Sequence, residues 1–279
     1  MKIKANAKVN LGLAVCGKRQ DGYHLIDTVM HSVGIYDLVE IEKADSISVF
    51  CSNADIEEKD NIALKAAKLF FQKTGISGGC KVKIEKNIPT CAGMGGGSAD
   101  AAAVLVGLNS LYNAKLNEQT LCEMALTLGA DVPFFIKGGC KRAEGIGEIL
   151  TDCKPLCKGY FVLAKADKKP STAEMYRIID SKEPIKADTE KVIGYIEKND
   201  LKMLGKNLAN AFETVWEQSS LKEKMNRFSP LAVSLTGSGP TFFALYEDYE
   251  NAGRLLEELK KQNIECFIAE PKPFALEIE

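Results

Sequence analysis

Pro89-Thr-Cys-Ala-Gly-Met-Gly-Gly-Gly-Ser-Ala99 sets four glycines, Gly93, Gly95, Gly96 and Gly97, within five positions and runs straight into a helix-forming stretch. Asp100 is followed by Ala101, Val104, Leu105 and Leu108, which have the i, i+3, i+4, i+7 spacing of one helical face. Glycine lets the backbone turn its N–H groups toward a ligand, and a helix N-terminus adds unpaired donors and a partial positive charge. The stretch therefore predicts a phosphate-binding loop that opens a helix. It lacks the Gly-Lys-Ser/Thr ending of the common nucleoside triphosphatase loop. Asp100 stands where a dinucleotide fingerprint needs its third glycine. On these residues alone, a tight turn before a helix stays open.

Outward from the loop, Val82-Lys-Ile predicts a strand leading in. Lys2 to Cys16 alternates as a strand, with Val9, Leu11, Leu13 and Val15 on one face and Lys8 and Asn10 on the other. Strand-like runs fall between Ile35 and Phe50. Asp60 is expected to cap a helix through Phe71, and a second helix is expected from Asn117 to Leu128, stopped by Gly129. Gly138 to Leu150 reads as turns and strand. Pro155, in a polar cluster from Thr151 to Lys158, marks the expected boundary between units 1–155 and 156–279. Beyond it come strands at 159–164, 232–235, 241–246 and 264–269, and helices at 172–179, 189–198, 201–218 and 251–262. Strands and helices mixed in this way, with hairpins, predict an α+β fold rather than a doubly wound parallel sheet.

The 279 residues suffice for two domains, and the 46% hydrophobic and 27% charged content is that of a globular chain. A net charge of −2 argues against nucleic-acid binding through a global basic field. Nine cysteines without a CxxC pair, beside two histidines, predict free thiols in a reducing cytoplasm rather than disulfides or zinc. No signal peptide and no run of membrane-spanning length stands out, so no membrane partner is expected.

Five motifs stand in order: Ala7-Lys-Val-Asn-Leu11, Asp21-Gly-Tyr-His24, Pro89 to Ala99, Leu128-Gly-Ala-Asp-Val-Pro-Phe-Phe135 and Thr236-Gly-Ser-Gly-Pro-Thr241. Together the chain resembles the GHMP kinases, which phosphorylate hydroxyls of small molecules with ATP. The resemblance runs from Ala7 to about Leu245. Lys18-Arg-Gln-Asp-Gly-Tyr-His24 narrows it to the branch whose substrate is a cytidine diphosphate-linked methylerythritol. The resemblance implies a ribosomal-protein-S5-like N-terminal domain and a ferredoxin-like C-terminal domain. It makes Asp131 the general base and Lys8 the cation that keeps it ionised. It assigns ATP to Pro89, Gly93, Gly95, Gly96, Gly97, Ser98 and Ala99, with Asn61 and Lys86 lining the nucleotide pocket. Asn10, Tyr23, His24, Thr172 and Tyr176 would meet the substrate, the tyrosines by stacking on the base. Gly237, Ser238 and Gly239 would complete the phosphate pocket.

Structural duties remain open for several of these. Ser98 and Asp131 also suit helix caps, Lys8 an edge strand, His24 a loop, Tyr176 a helix core and the Gly237 turn a simple hairpin. Asn61 and Lys86 have equally good structural roles. The chain departs from the family's usual pattern in two places: Ala99 replaces a second serine, and Asn6 precedes Ala7-Lys8 where proline is common. No acidic residue stands out as a dedicated metal ligand, so Mg²⁺ is expected to be held mainly by the nucleotide phosphates. A sibling kinase for homoserine or a mevalonate derivative, and a non-catalytic regulator on the same fold, are the alternatives. The oligomeric state is not legible.

Overall fold

The computed structural model describes residues 1–53, 61–166, 170–216 and 219–279. In chain order it contains β1 (Lys2–Lys18), β2 (His24–Ala44), β3 (Ser48–Cys51), α1 (Ile62–Thr74), β4 (Gly79–Glu85), α2 (Gly96–Leu111), α3 (Glu118–Leu126), α4 (Val132–Lys137), β5 (Cys140–Gly145) and β6 (Ile149–Cys153). There follow β7 (Tyr160–Lys165), α5 (Thr172–Asp180), α6 (Thr189–Glu197), α7 (Leu201–Asn207), a 3₁₀ turn (Ala211–Val215) and α8 (Ser220–Asn226). The chain closes with β8 (Ala232–Leu235), β9 (Thr241–Tyr246), α9 (Tyr249–Lys261), β10 (Cys266–Ala269) and β11 (Leu276–Ile278).

The first sheet has seven strands in the order β11-β1-β2-β4-β3, with β5 and β6 continuing from β2. Its helical cover is α1 to α4, and α2 is buried along most of its length by Ala99, Ala101, Ala102, Ala103 and Val104. Small side chains let this helix lie close on the strands: a Cβ at Gly107 would press into Ile41 and Ile3. The second sheet, β10-β7-β9-β8, is antiparallel throughout. Strand, helices, two strands, helix and strand in that order give the ferredoxin-like half its topology. The α+β expectation and both halves therefore appear as expected.

β1 joins the two halves. Ile3 and Ala5 pack into the first core; past the register shift at Asn6/Ala7, the residues Ala7, Val9 and Leu11 pack with Phe161, Leu163 and Phe243 of the second sheet. Lys8 and Asn10, on the opposite face, are buried as well. β11 covers β1 only at Ile3–Ala5, and at Lys8 the backbone N–H donates instead to the Met94 carbonyl at 3.0 Å, so the surface-lysine alternative fails on burial and not on strand order. The chain passes from the first sheet to the second between β6 and β7, and β11 then returns to pair with β1, Ile3 opposite Ile278. The last residues thus lie on the first sheet.

Other expectations change. Asp60, expected to cap α1, lies outside the described residues; Asn61 is the cap, its Oδ1 accepting from the Ala63 N–H at 2.9 Å. The helix expected over 201–218 stops at Asn207, and residues 217–218 of it lie outside the described residues. Asn210 interrupts it. Its buried side chain donates to the carbonyls of Leu235 and Gly237 at 2.8 and 2.9 Å, bonds that a helical position could not make. Three short elements, α4, α8 and β11, are additions to the expected set.

Candidate active site

The glycine loop is held by its apolar residues. Ile88, Ala92 and Met94 are buried in the core shared by the two halves. Gly93 and Gly95, on either side of Met94, line the cleft, whereas Gly96, Gly97 and Ser98 follow in the first turn of α2 and are not among its lining residues. Gly93 has φ +77°, and a Cβ there would collide with the carbonyl oxygen of Thr236. The two glycine-containing turns, from opposite halves of the molecule, are therefore in backbone contact. Gly95, φ +74°, is the N-cap of α2 and supplies no side-chain cap. The N–H groups of Gly96, Gly97 and Ser98 consequently begin the helix without i−4 acceptors, where the helix dipole is positive. Ser98 sits in the first turn, not at the cap. Ala99 is fully buried in the first core and its N–H is bonded to the Gly95 carbonyl, so its side chain stands outside the cleft. The hydroxyl of a second serine would have nothing to meet there but core.

Lys8 and Asp131 meet at the floor of this cleft. The Lys8 side chain is 4% exposed, its Nζ 3.9 Å from Asp131 Oδ2, and it donates to Asn10 Oδ1 at 2.7 Å. Burial pulls the Lys8 pKa below its ordinary value, and the Asp131 charge opposes that shift. Asp131 precedes α4 but makes no side-chain cap bond, which removes the capping alternative. Its carboxylate is 37% exposed and faces the cleft. Asn10 is a node rather than an open ligand: its Oδ1 also accepts from the Gly237 N–H at 2.8 Å, and its Nδ2 donates to Thr28 Oγ1 at 2.9 Å. The Asn10 N–H donates to Thr236 Oγ1 at 3.2 Å. Asn10 thereby fixes Lys8 against the second glycine turn, and that turn is part of the cleft rather than a plain hairpin. Ser238 within it faces Thr172, their hydroxyl oxygens 3.2 Å apart.

Lys8, Asp131, Gly93, Gly95, Gly237 and Ser238 line one cavity of 900 Å³. A cavity of 500 Å³, lined by Tyr23, His24 and Asp180, shares Ile146, Thr172 and Tyr176 with it. His24 lies flat on Tyr176, the ring centroids 4.3 Å apart and the planes 12° from parallel. Tyr176 meets Phe212 edge-on, so it is both a core residue and a wall of the cavity. Burial, with the Asp131 charge adding to it, pushes the Tyr176 hydroxyl up to about 12, and it stays protonated. Tyr23 is 61% exposed at the rim. The sequence expectation overlooked Asp180. Its carboxylate binds His24 Nε2 and Lys18 Nζ, each at 2.6 Å. The available signal was its position four residues after Tyr176, on the same face of α5.

Asn61 and Lys86 lie beside the loop rather than on the main cleft. Asn61 is occupied as the α1 cap, described above. Lys86 Nζ is bound by Asp37 and by Asp100 Oδ2, the latter at 2.7 Å, under the first turn of α2. Burial lowers the lysine's affinity for its proton, but the two carboxylates outweigh burial and raise it. Asp37 Oδ1 accepts from the N–H groups of Asn87 and Ile88, the strand end that enters the loop. Burial pushes Asp100 up to about 8, against the pull of Lys86. Lys86 and Pro89 line a separate cavity of 540 Å³ next to the main one.

Two family descriptions fit the chain: "GHMP kinases N terminal domain" over residues 61–139 and "GHMP kinases C terminal" over residues 192–265. The 4-diphosphocytidyl-2-C-methyl-D-erythritol kinase of Clostridium tetani is 42% identical over 277 residues, 96% of this chain and 99% of that one. The crystal structure of a 4-(cytidine 5'-diphospho)-2C-methyl-D-erythritol kinase superposes with a TM-score of 0.78 at 32% identity, covering 96% of this chain and 98% of its own. A homoserine kinase from Cytophaga hutchinsonii shares the fold, with a TM-score of 0.79 at 17% identity and coverage of 100% and 97%.

Proposed function

The chain belongs to the GHMP kinase family, and from that premise we propose that it transfers the γ-phosphoryl group of ATP to the 2-hydroxyl of 4-diphosphocytidyl-2-C-methyl-D-erythritol, a step toward isoprenoid precursors. The observation that carries the proposal is the shared wall of two cavities. One holds the Lys8–Asp131 pair facing the open N-terminus of α2, and the other holds the His24–Tyr176 stack. A substrate with a nucleobase at one end and an alcohol at the other spans such a pair of sites.

In this scheme the triphosphate lies on the N–H groups of Gly96, Gly97 and Ser98, with the Ser98 hydroxyl at its edge. Asp131 accepts the proton of the hydroxyl as its oxygen attacks the γ-phosphorus and ADP leaves. Lys8 keeps Asp131 ionised and offsets negative charge as it develops. The aromatic end positions the base, with Asp180 orienting His24. Among the described residues no group of three or more histidine, cysteine, aspartate or glutamate side chains could hold a metal ion. Mg²⁺ entering with the nucleotide would be held mainly by its phosphates, with the Ser98 hydroxyl at hand, and would supply charge neutralisation to the transferring group. No helix among the described residues is long and apolar enough to cross a membrane. The nine cysteines, all free thiols, suit a reducing cytoplasm.

ADP release measured with the cytidine substrate, mevalonate and homoserine in parallel tests the proposal. Turnover is expected with the cytidine compound alone. Comparable turnover of mevalonate or homoserine would overturn the substrate assignment while leaving the kinase chemistry in place. A second expectation concerns the contact between the two turns. Gly93→Ala places a Cβ against the Thr236 carbonyl and a side chain at a left-handed φ, at a cost of about 1–3 kcal/mol. Its melting temperature should fall by several degrees, and the stabilisation that ADP gives the wild type should largely vanish. A variant that melts and responds to ADP like the wild type would show that the turns need not touch.

A further inference from the structure

Lys165 enters the cleft from the second half of the molecule. It is the last residue of β7 and pairs with Thr241 on β9, which places it level with the Thr236–Pro240 turn. Its side chain lines the 900 Å³ cleft together with Thr90, Cys91 and Gly93. It also lines the adjoining 540 Å³ cavity with Lys86, Pro89 and Thr90. Lys165 and Thr90 therefore stand where the two spaces meet, and neither lines the cavity of the His24–Tyr176 stack.

Among the described residues, the charge available to a polyphosphate at that point is otherwise small. Among the described residues lining the main cleft, Lys8 and Lys165 are the only cations. Lys8 is committed to Asn10 and Asp131, and Lys86 is bonded to Asp37 and Asp100. The α2 N-terminus contributes about half a positive charge. Lys165 is held only loosely. Its Nζ is 3.5 Å from Glu265 Oε2, with the lysine side chain 26% and the glutamate 50% exposed. A solvent-screened pair of this kind is weak and exchanges readily for a better anion. A phosphate oxygen is such an anion, since a charge-assisted hydrogen bond to it is shorter and stronger.

We propose that Lys165 binds the phosphates of the adenine nucleotide, with Glu265 holding the ammonium at the neck between the two cavities until the nucleotide displaces it. The inference rests on the nucleotide reading given under the proposed function. Because Lys165 belongs to β7 and the glycine loop precedes α2, the bound phosphates tie one half of the molecule to the other. The cytidine substrate also carries a diphosphate, but Lys165 does not line the cavity of the His24–Tyr176 stack, where its base is placed.

Calorimetric titration of the wild type, Lys165→Met and Glu265→Gln with ADP and with adenosine tests this, alongside the two Michaelis constants. Lys165→Met should weaken ADP binding and raise the KM for ATP by about tenfold, the scale of one charge-assisted hydrogen bond. Adenosine affinity and the KM for the cytidine substrate should stay within about twofold of the wild type. Glu265→Gln removes the competing carboxylate and should tighten ADP by about threefold. ADP affinity within twofold of the wild type in Lys165→Met, an equal loss for adenosine, or a rise in the KM of the cytidine substrate instead would overturn the inference. If Lys165→Met does not fold, Glu265→Gln decides: unchanged or weaker ADP binding counts against it. A wild type that binds no adenine nucleotide would defeat the kinase reading itself, and this inference with it.

Discussion

Asp131→Asn should retain the fold and lose about 10²–10⁴-fold in kcat, the range that general-base assistance supplies. Asparagine keeps the shape of aspartate but accepts no proton from the alcohol. The fold should not notice, because Asp131 makes no cap bond to α4 and is more than a third exposed. Among the described residues its ion-pair partner is Lys8, and the lysine keeps its bond to Asn10 in the variant. The KM for ATP should move little, since the glycine loop and α2 N-terminus are built from backbone groups that the substitution leaves untouched. ADP release gives kcat, and circular dichroism with thermal unfolding gives the control. Full turnover by a folded Asp131→Asn enzyme would remove Asp131 as the base. A melting temperature several degrees lower would mean that its part is structural after all.

What could be foreseen from sequence follows the range of the forces involved. The glycine loop, the α2 helix behind it, β1 and the β8–β9 pair are set by neighbours a few residues apart, and all four occur where the periodicity places them. The elements that escaped are short or depend on distant partners. α4 has six residues, too few to show a helical period; β11 exists only because β1 offers its edge. Asn210 ends a helical pattern through bonds to carbonyls 25 and 27 residues away. The site divides in the same way. Lys8, Asp131, Tyr23 and His24 carry recognisable motifs, whereas Asp180 had only its helical spacing from Tyr176, and its bond to His24 forms where β2 and α5 meet across a separation of 156 residues. Lys86 illustrates the limit further. Its lysine was legible, but Asp37 and Asp100, which engage its charge, lie 49 residues before and 14 residues after it and had no motif to mark them.

The geometry also gives each polar group in the site a holder. Asp131 faces Lys8, Lys8 is bound by Asn10, Asn10 is bound by the Gly237 N–H, and Gly237 belongs to the turn that Gly93 touches. Positioning of this kind matters because a phosphoryl transfer offers the protein little covalent chemistry. Orientation and charge must supply the acceleration. It also means that the second half of the molecule sets the position of the base's partner, although both Lys8 and Asp131 belong to the first.

Lys8→Met is the variant that separates charge from packing. The lysine is buried and its pKa is depressed, so its charged form is disfavoured in the folded protein relative to the unfolded chain. Between the depressed value and the ordinary one near 10.5, the unfolded state binds more protons, and stability rises with pH across that window. At neutral pH the buried ammonium therefore costs stability. Methionine fills a similar volume without the charge. Asn10 Oδ1 still accepts from Gly237, so no buried polar atom is orphaned. Lys8→Met should thus melt no lower than the wild type at pH 7. Its gain over the wild type should shrink as the pH approaches 10.5. Turnover should nevertheless fall by about 10²–10³-fold, the loss seen when one group aimed at developing charge is removed. The KM values should change far less. A sharp loss of stability at pH 7 would show that the Lys8–Asn10 bond holds the cleft together. Retained turnover would show that Asp131 needs no cation beside it.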